Sequence, residues 1–202
     1  KMLAVVIIHF AFCIIHLKHM VYYSGGTQLL NPEKIYQHLG LTQGMRVADL
    51  GCGGTGRFTI TAAKLVGRRG LVYAVDILKS ILAEVALKAR LEGIANVKTV
   101  WANLEIYNAT KIKSDSLDIG FLVNILFQSK EDDNVIKESS RMIKRGGRLL
   151  VIDWKQVSLP FGPPLVDRVK PETVKKICKS LNLKLIDEFD AGAFHYCLIF
   201  QK

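Results

Sequence analysis

Cysteine is scarce in this 202-residue chain, and the four present form no pattern. Cys13, Cys52, Cys178 and Cys197 are scattered, no two make a C-x-x-C pair, and no histidine spacing completes a zinc set. A disulfide framework and a zinc motif are therefore excluded, a reducing, cytoplasmic setting is implied, and no metal is expected. Internal repeats and low-complexity tracts are also absent, which removes solenoids and disordered linkers. A long spanning run is missing too. Met2 to Leu17 is apolar apart from His9 and His16, but at ~1.5 Å per residue it falls short of a hydrocarbon core of ~30 Å. With no small-x-small cleavage site it does not read as a signal peptide. Residues 1–19 are expected to be an extension dispensable for activity. An uncleaved anchor or an interfacial helix, touching a membrane peripherally through residues 2–17, is the alternative.

Half of the residues are hydrophobic, enough at this length to bury a core without cross-links, so residues 20–202 are expected to form one domain. The formal net charge is +10, and it is uneven. One basic cluster holds Lys137, Arg141, Lys144, Arg145 and Arg148, and a second runs from Arg168 to Lys184. Such surface concentrates RNA or other acidic partners, yet no aromatic-rich RNA-binding signature accompanies it. The solvated faces of helices account for it equally well.

From Ser24 onward, strand and helix patterns alternate. Asn31-Pro32-Glu33 opens a helix, with Asn as cap and Pro in the first turn, and Gly40 closes it. Strands are predicted at 46–50, 71–75, 97–101, 117–123 and 148–154. The helices between them have apolar faces at Phe58, Ala62 and Leu65, at Ile81, Val85 and Leu91, and at Val135, Ile136 and Ile143, closed by Gly67, Gly93 and Gly146. Pro171 starts a last helix. The runs 183–190 and 194–201 then flank Ala191-Gly192-Ala193 as a β-hairpin. The expected fold is α/β and doubly wound: a mostly parallel seven-stranded sheet ending in an antiparallel hairpin.

The stretch VADLGCGGTGRFT, residues 47–59, takes an apolar strand into a glycine turn and then a helix. Gly51, Gly53 and Gly56 satisfy G-x-G-x-x-G, a pattern shared by several cofactor sites. In an open α/β sheet the ligand lies at the carboxyl ends of the strands. Asp49 discriminates among ligands, because a carboxylate two residues before Gly51 repels a pyrophosphate and favours an ammonium or sulfonium. S-adenosylmethionine carries both cations and no phosphate. Asp76, with Ile77 after it, ends the second strand where a carboxylate accepts bonds from ribose hydroxyls. Asn103 and Leu104 follow the third strand, on the side of an adenine. Asn124 opens the loop after the fourth.

These motifs together, DLGCGGTG, VYAVDI, WANLE, LDIGFLVNILFQ and RMIKRGGRLLVIDW with the closing hairpin, resemble the class I S-adenosylmethionine-dependent methyltransferases over about residues 24–202. The resemblance implies the Rossmann-like methyltransferase fold and S-adenosylmethionine as cofactor, with S-adenosylhomocysteine as product. It implies that Asp49, Gly51, Gly53 and Gly56, with Cys52 as a small turn residue among them, surround the methionine portion. Asp76 then matches the ribose-binding acid, Asn103 and Leu104 the adenine side, and Asn124 the fourth motif.

The acceptor end is less defined. Phe127-Gln128 falls where many small-molecule members carry a histidine, so no catalytic base is assigned. NILF replaces the Asn-Pro-Pro-aromatic quartet of amino-group methylation. Phe127, Asp153, Trp154 and Arg168 are the candidate acceptor-side residues, with the loop 157–170 as a wall. A small-molecule acceptor leads. RNA or protein methylation is second, and a nicotinamide oxidoreductase and a non-catalytic adenosyl-binding protein are the remaining alternatives.

Overall fold

In the computed structural model, which describes residues 26–202, seven strands form one sheet. The expectations for residues 1–19, including the run 2–17 and Cys13, lie outside the described residues. Helix α1 (Pro32–Leu39) precedes β1 (Arg46–Leu50), α2 (Arg57–Val66), β2 (Leu71–Asp76), α3 (Lys79–Leu91), β3 (Val97–Trp101) and β4 (Leu117–Val123). Helix α4 (Asp132–Met142), β5 (Ile143–Trp154), α5 (Pro171–Ser180), β6 (Lys184–Asp190) and β7 (His195–Gln201) complete the chain.

The spatial order is β3-β2-β1-β4-β5-β7-β6. The first five strands pair in parallel, and β7 is antiparallel to both β5 and β6. The order reverses between β1 and β4, the switch point at which open α/β sheets open a crevice. Side chains alternate between two buried faces. Val47, Ile119, Phe121, Leu150 and Ile152 pack with Tyr36, Leu39, Phe58 and Val66 of α1 and α2. Ala48, Leu50, Leu122, Leu149 and Val151 pack with Val135, Ile136, Val174 and Cys178 of α4 and α5.

Local signals explain four of the helix ends. The Asn31 side chain accepts the Lys34 amide at 3.0 Å, and Gly40 ends α1 at φ +73°. Gly67 ends α2, and Pro171 begins α5.

Three expectations need correction. Gly146 does not close a helix: α4 stops at Met142 and Ile143 already belongs to β5, paired with Leu117. Residues 144–147 bulge opposite Asp118, and the Gly146 amide donates to the Lys202 carbonyl at 2.8 Å. The core faces of α2 and α3 keep the expected Phe58, Ala62 and Val85 but not their last members. Leu65 and Leu91 are exposed, while Ala63 and Val66 of α2 and Leu82, Val85 and Ala89 of α3 are buried. The hairpin link is one residue longer than expected, with Phe194 outside β7. Cys52, Cys178 and Cys197 are free and buried. No helix among the described residues is long and apolar enough to cross a membrane.

Candidate cofactor and acceptor site

The carboxyl ends of β1, β2, β3 and β4 meet around the glycine turn. Asp49, in register with Ala74 and Phe121, is buried and accepts the Thr59 hydroxyl of α2 at 2.5 Å. Burial pushes its carboxyl up to about 7; the Thr59 bond opposes the rise and the Asp76 charge adds to it. A cation arriving at this turn meets a carboxyl that ionises in the neutral range.

Two features shape the turn. The Gly51 and Cys52 amides both donate to the Val75 carbonyl, at 2.9 and 3.0 Å, which folds the loop over the end of β2. Gly51 sits at φ +92°, and any side chain there would collide with Ile125. Gly53, at φ +60°, faces open space, so its bare backbone is available to a ligand. Gly56 starts α2 against Val85. The Cys52 thiol is raised by burial and the nearby carboxylates, which suits an inert turn residue.

Asp76 ties the turn to the next loop. Its Oδ2 accepts the Gly53 amide at 3.2 Å and its Oδ1 accepts the Leu78 amide at 2.9 Å. Ile77 is exposed beside it, and the Trp101 indole donates to the Ile77 carbonyl at 2.8 Å while Lys79 stands over its ring. Leu104 is buried, and Asn103 uses its Oδ1 to cap its own turn through the Glu105 amide. Asn124 is held at φ +58° with its side chain 7% exposed as a residue and without a partner at either polar atom among the described residues. Hydrogen bonds thus tie Gly51, Cys52 and Gly53 to the end of β2 at Val75 and Asp76, while Asn103 and Leu104 follow β3 and Asn124 follows β4.

The acceptor-side candidates are packed behind these strand ends. Asp153 is buried, and its oxygens accept the Phe127 amide at 3.2 Å and the Trp154 amide at 2.8 Å; burial raises its carboxyl to about 7. It therefore fixes the loop that carries Phe127. Arg168 is also buried, and its guanidinium donates to the carbonyls of Pro163, Lys155, Val157 and Phe161, with the Trp154 ring 5.4 Å away. Its contacts bind the loop 157–168 to itself. Trp154 contacts Phe161 and His195.

Two groups escaped the sequence reading. Arg57, directly after the glycine turn, donates to the Thr27 and Gln28 carbonyls and so holds the turn Gly26–Leu29 over the site. Its position in GTGR was the available signal. His195 offered none beyond standing at the start of β7.

The group that fits this cradle is cationic and adenosyl-bearing: a buried carboxylate beneath an open glycine, a second carboxylate at the end of β2, and no lysine among the glycines to meet a phosphate. Residues 26–163 match the model of the ubiE/COQ5 methyltransferase family. The chain belongs to this family. A relative within it, the "Ubiquinone/menaquinone biosynthesis C-methyltransferase UbiE" of Vibrio vulnificus strain YJ016, is 36% identical over 143 residues, covering 70% of this chain and 52% of its own length. The protein of the same name from Yersinia enterocolitica is 38% identical over 128 residues, 62% of this chain and 48% of its own length. The chain spans about half the length of the curated relatives it matches. In fold, a SAM-dependent methyltransferase from Aquifex aeolicus superposes with a TM-score of 0.79 at 22% identity, covering 90% of this chain and 95% of its own. A type 11 methyltransferase from Sulfolobus solfataricus, described as putative, gives 0.66 at 23%. The family match ends before Arg168 and His195.

Proposed function

We propose that this chain binds S-adenosylmethionine at the ends of β1 to β4 and methylates a ring carbon of a small quinone-type molecule in its reduced state. The observation that carries the reading is the buried Asp49 carboxyl under the open Gly53 turn, joined through the Gly53 amide to Asp76. The names of the ubiE/COQ5 relatives support the acceptor class and the carbon as acceptor atom.

When bound, S-adenosylmethionine supplies a methyl group already activated on a sulfonium, so the protein's task is to position and to exclude water. Asp49, Gly51, Cys52, Gly53 and Gly56 hold the methionine end, and the ionised Asp49 carboxyl neutralises cationic charge there. Asp76, beside Ile77, exchanges its backbone bonds for ribose hydroxyls. Asn103 and Leu104 flank the adenine. Asn124, Phe127 and Trp154 face the acceptor, while Asp153 and Arg168 set their positions through backbone bonds.

The test incubates the full chain with S-adenosylmethionine and 1,4-naphthohydroquinone without oxygen, and follows ring methylation by mass spectrometry. Methylated ring and S-adenosylhomocysteine in equal amounts are expected. Binding of S-adenosylmethionine without any methylated ring would overturn the acceptor class, and binding of NADH alone would overturn the cofactor.

A further inference from the structure

Trp101 is the last residue of β3, the strand at one edge of the sheet, and its large apolar side chain is 60% exposed. Core packing does not account for it, and an exposed apolar ring on an edge strand is a liability. What holds the ring in place is polar and cationic. Its indole N–H donates to the Ile77 carbonyl at 2.8 Å. The Lys79 ammonium stands 4.2 Å from the ring centroid, over its face, and this cation–π contact helps to fix the plane of the indole.

The carbonyl that the indole grips belongs to the peptide between Ile77 and Leu78. The amide of that same peptide donates to Asp76 Oδ1 at 2.9 Å. A peptide unit is planar and rigid, so a donor fixed on its oxygen also fixes the direction of its N–H, and two bonds in series polarise one another. The other carboxylate oxygen, Oδ2, accepts the Gly53 amide at 3.2 Å. One arm from the glycine turn and one from Trp101 thus set the Asp76 carboxylate. Strand register brings the parts together: Asp76 and Trp101 are partners across the parallel pair of β2 and β3, and the Ala102 amide donates to the Asp76 carbonyl at 3.1 Å. Ile77 and Leu78 are both exposed, so burial of their side chains does little to hold the loop. The indole bond is its tether.

We propose that Trp101 is a positioning residue for the cofactor: through the peptide 77–78 it holds the Asp76 carboxylate ready for the ribose hydroxyls. The role rests on the S-adenosylmethionine reading, in which the ribose takes over the backbone bonds of Asp76, and it needs no contact between the indole and the ligand. A carboxylate already set in direction has less freedom to lose when the ligand arrives, and affinity rises accordingly. Phenylalanine at 101 keeps a ring beside Lys79 but has no N–H. The peptide is then free to turn, and the carboxylate with it.

The experiment titrates four forms of the full chain with S-adenosylhomocysteine by calorimetry: wild type, Trp101→Phe, Asp76→Ala and the double variant. Trp101→Phe is expected to weaken binding about fivefold when Asp76 is present, the scale of one lost neutral hydrogen bond, and to change it little when Asp76 is alanine. Unchanged affinity in Trp101→Phe, or the same loss with and without Asp76, would overturn the proposal, because a ring that only supports the fold acts in both backgrounds. Competition by adenosine and by 2′,3′-dideoxyadenosine reads the same coupling from the ligand side. Wild type is expected to prefer adenosine, and Trp101→Phe to lose much of that preference while its affinity for the dideoxynucleoside stays the same. A preference preserved in Trp101→Phe would overturn the role as well. Should wild type bind no S-adenosylhomocysteine, the cofactor reading falls and this role with it, whereas normal binding by wild type and by Trp101→Phe removes the role alone.

Discussion

At Asp76 one carboxylate serves two backbone amides, Gly53 at 3.2 Å and Leu78 at 2.9 Å. Asp76→Ala is expected to weaken S-adenosylmethionine binding by about 1.5–3 kcal/mol, the scale of a lost charged hydrogen bond. Calorimetry checks it, and unchanged affinity would remove the ribose assignment. Asp49 carries a second expectation. Its folded value of about 7 exceeds the ordinary 3.8, so between these values the folded state binds more protons and stability falls as pH rises. Asp153, also at about 7, acts in the same direction, whereas His195 acts oppositely between about 4 and 6.5. From pH 6.5 to 7.5 the carboxyls prevail, each costing on the order of 0.7 kcal/mol. The melting temperature is expected to fall across that window, and to fall less in Asp49→Asn; equal slopes in the two proteins would refute the assignment. Asp49, the glycines and Asp76 were legible because turn chemistry and strand ends are local properties of the chain. The missing partners of Asn124 and His195 were not, since only packing reveals what a side chain fails to touch.

Elements depend on a mixture of local and distant signals. Asn31, Gly40, Gly67 and Pro171 mark helix ends by caps and fixed φ, and those ends were readable. The start of β5 was not. Ile143 continues the 3.6-residue period of α4, but its pairing with Leu117 in the sheet core captures it, and the bulge at 144–147 absorbs the mismatch. The faces of α2 and α3 were legible at Phe58, Ala62 and Val85 and missed at their ends, where Ala63, Val66 and Ala89 are buried and the larger Leu65 and Leu91 are exposed. One network binds α4 to the segment between β3 and β4. Glu138 is buried and accepts the Asn108 amide at 2.7 Å, the Thr110 hydroxyl at 2.7 Å and the Arg141 guanidinium at 2.9 Å. Arg141 also donates to the Ile112 carbonyl at 2.7 Å. Glu138→Ala leaves that guanidinium buried without its counter-charge, so a loss of about 3–5 kcal/mol is expected. At this chain size that lowers Tm by roughly 6–20 °C. A shift below a few degrees would show the pair to be dispensable.

The net charge of the whole molecule looked like a surface property in sequence, yet part of it serves the fold. Within the first basic cluster Arg141 pairs with Glu138, Lys144 with Asp118 at 2.5 Å, and Arg148 donates to the Leu39 carbonyl. In the second, Arg168 is buried and Lys175 pairs with Glu188. Lys170, Lys176, Lys179 and Lys184 of the second cluster are exposed, so the pairing accounts for only part of the charge. Ligand binding to the folded state alone stabilises by about 2.7 kcal/mol at a hundredfold excess over Kd, so S-adenosylmethionine is expected to raise Tm by roughly 5–11 °C, and NADH to leave it unchanged. The sulfonium adds a finer expectation. S-adenosylhomocysteine shares every group of the cofactor except the cationic sulfur and its methyl, so their affinity ratio isolates the response of the site to that one charge. Asp49 ionises at about 7, and an anion attracts the cation where a neutral carboxyl does not. The preference for S-adenosylmethionine over S-adenosylhomocysteine is therefore expected to rise from pH 6 to pH 8 in wild type and to stay flat in Asp49→Asn. A flat ratio in wild type would mean that the buried carboxyl holds the turn through Thr59 and does not sense the sulfonium.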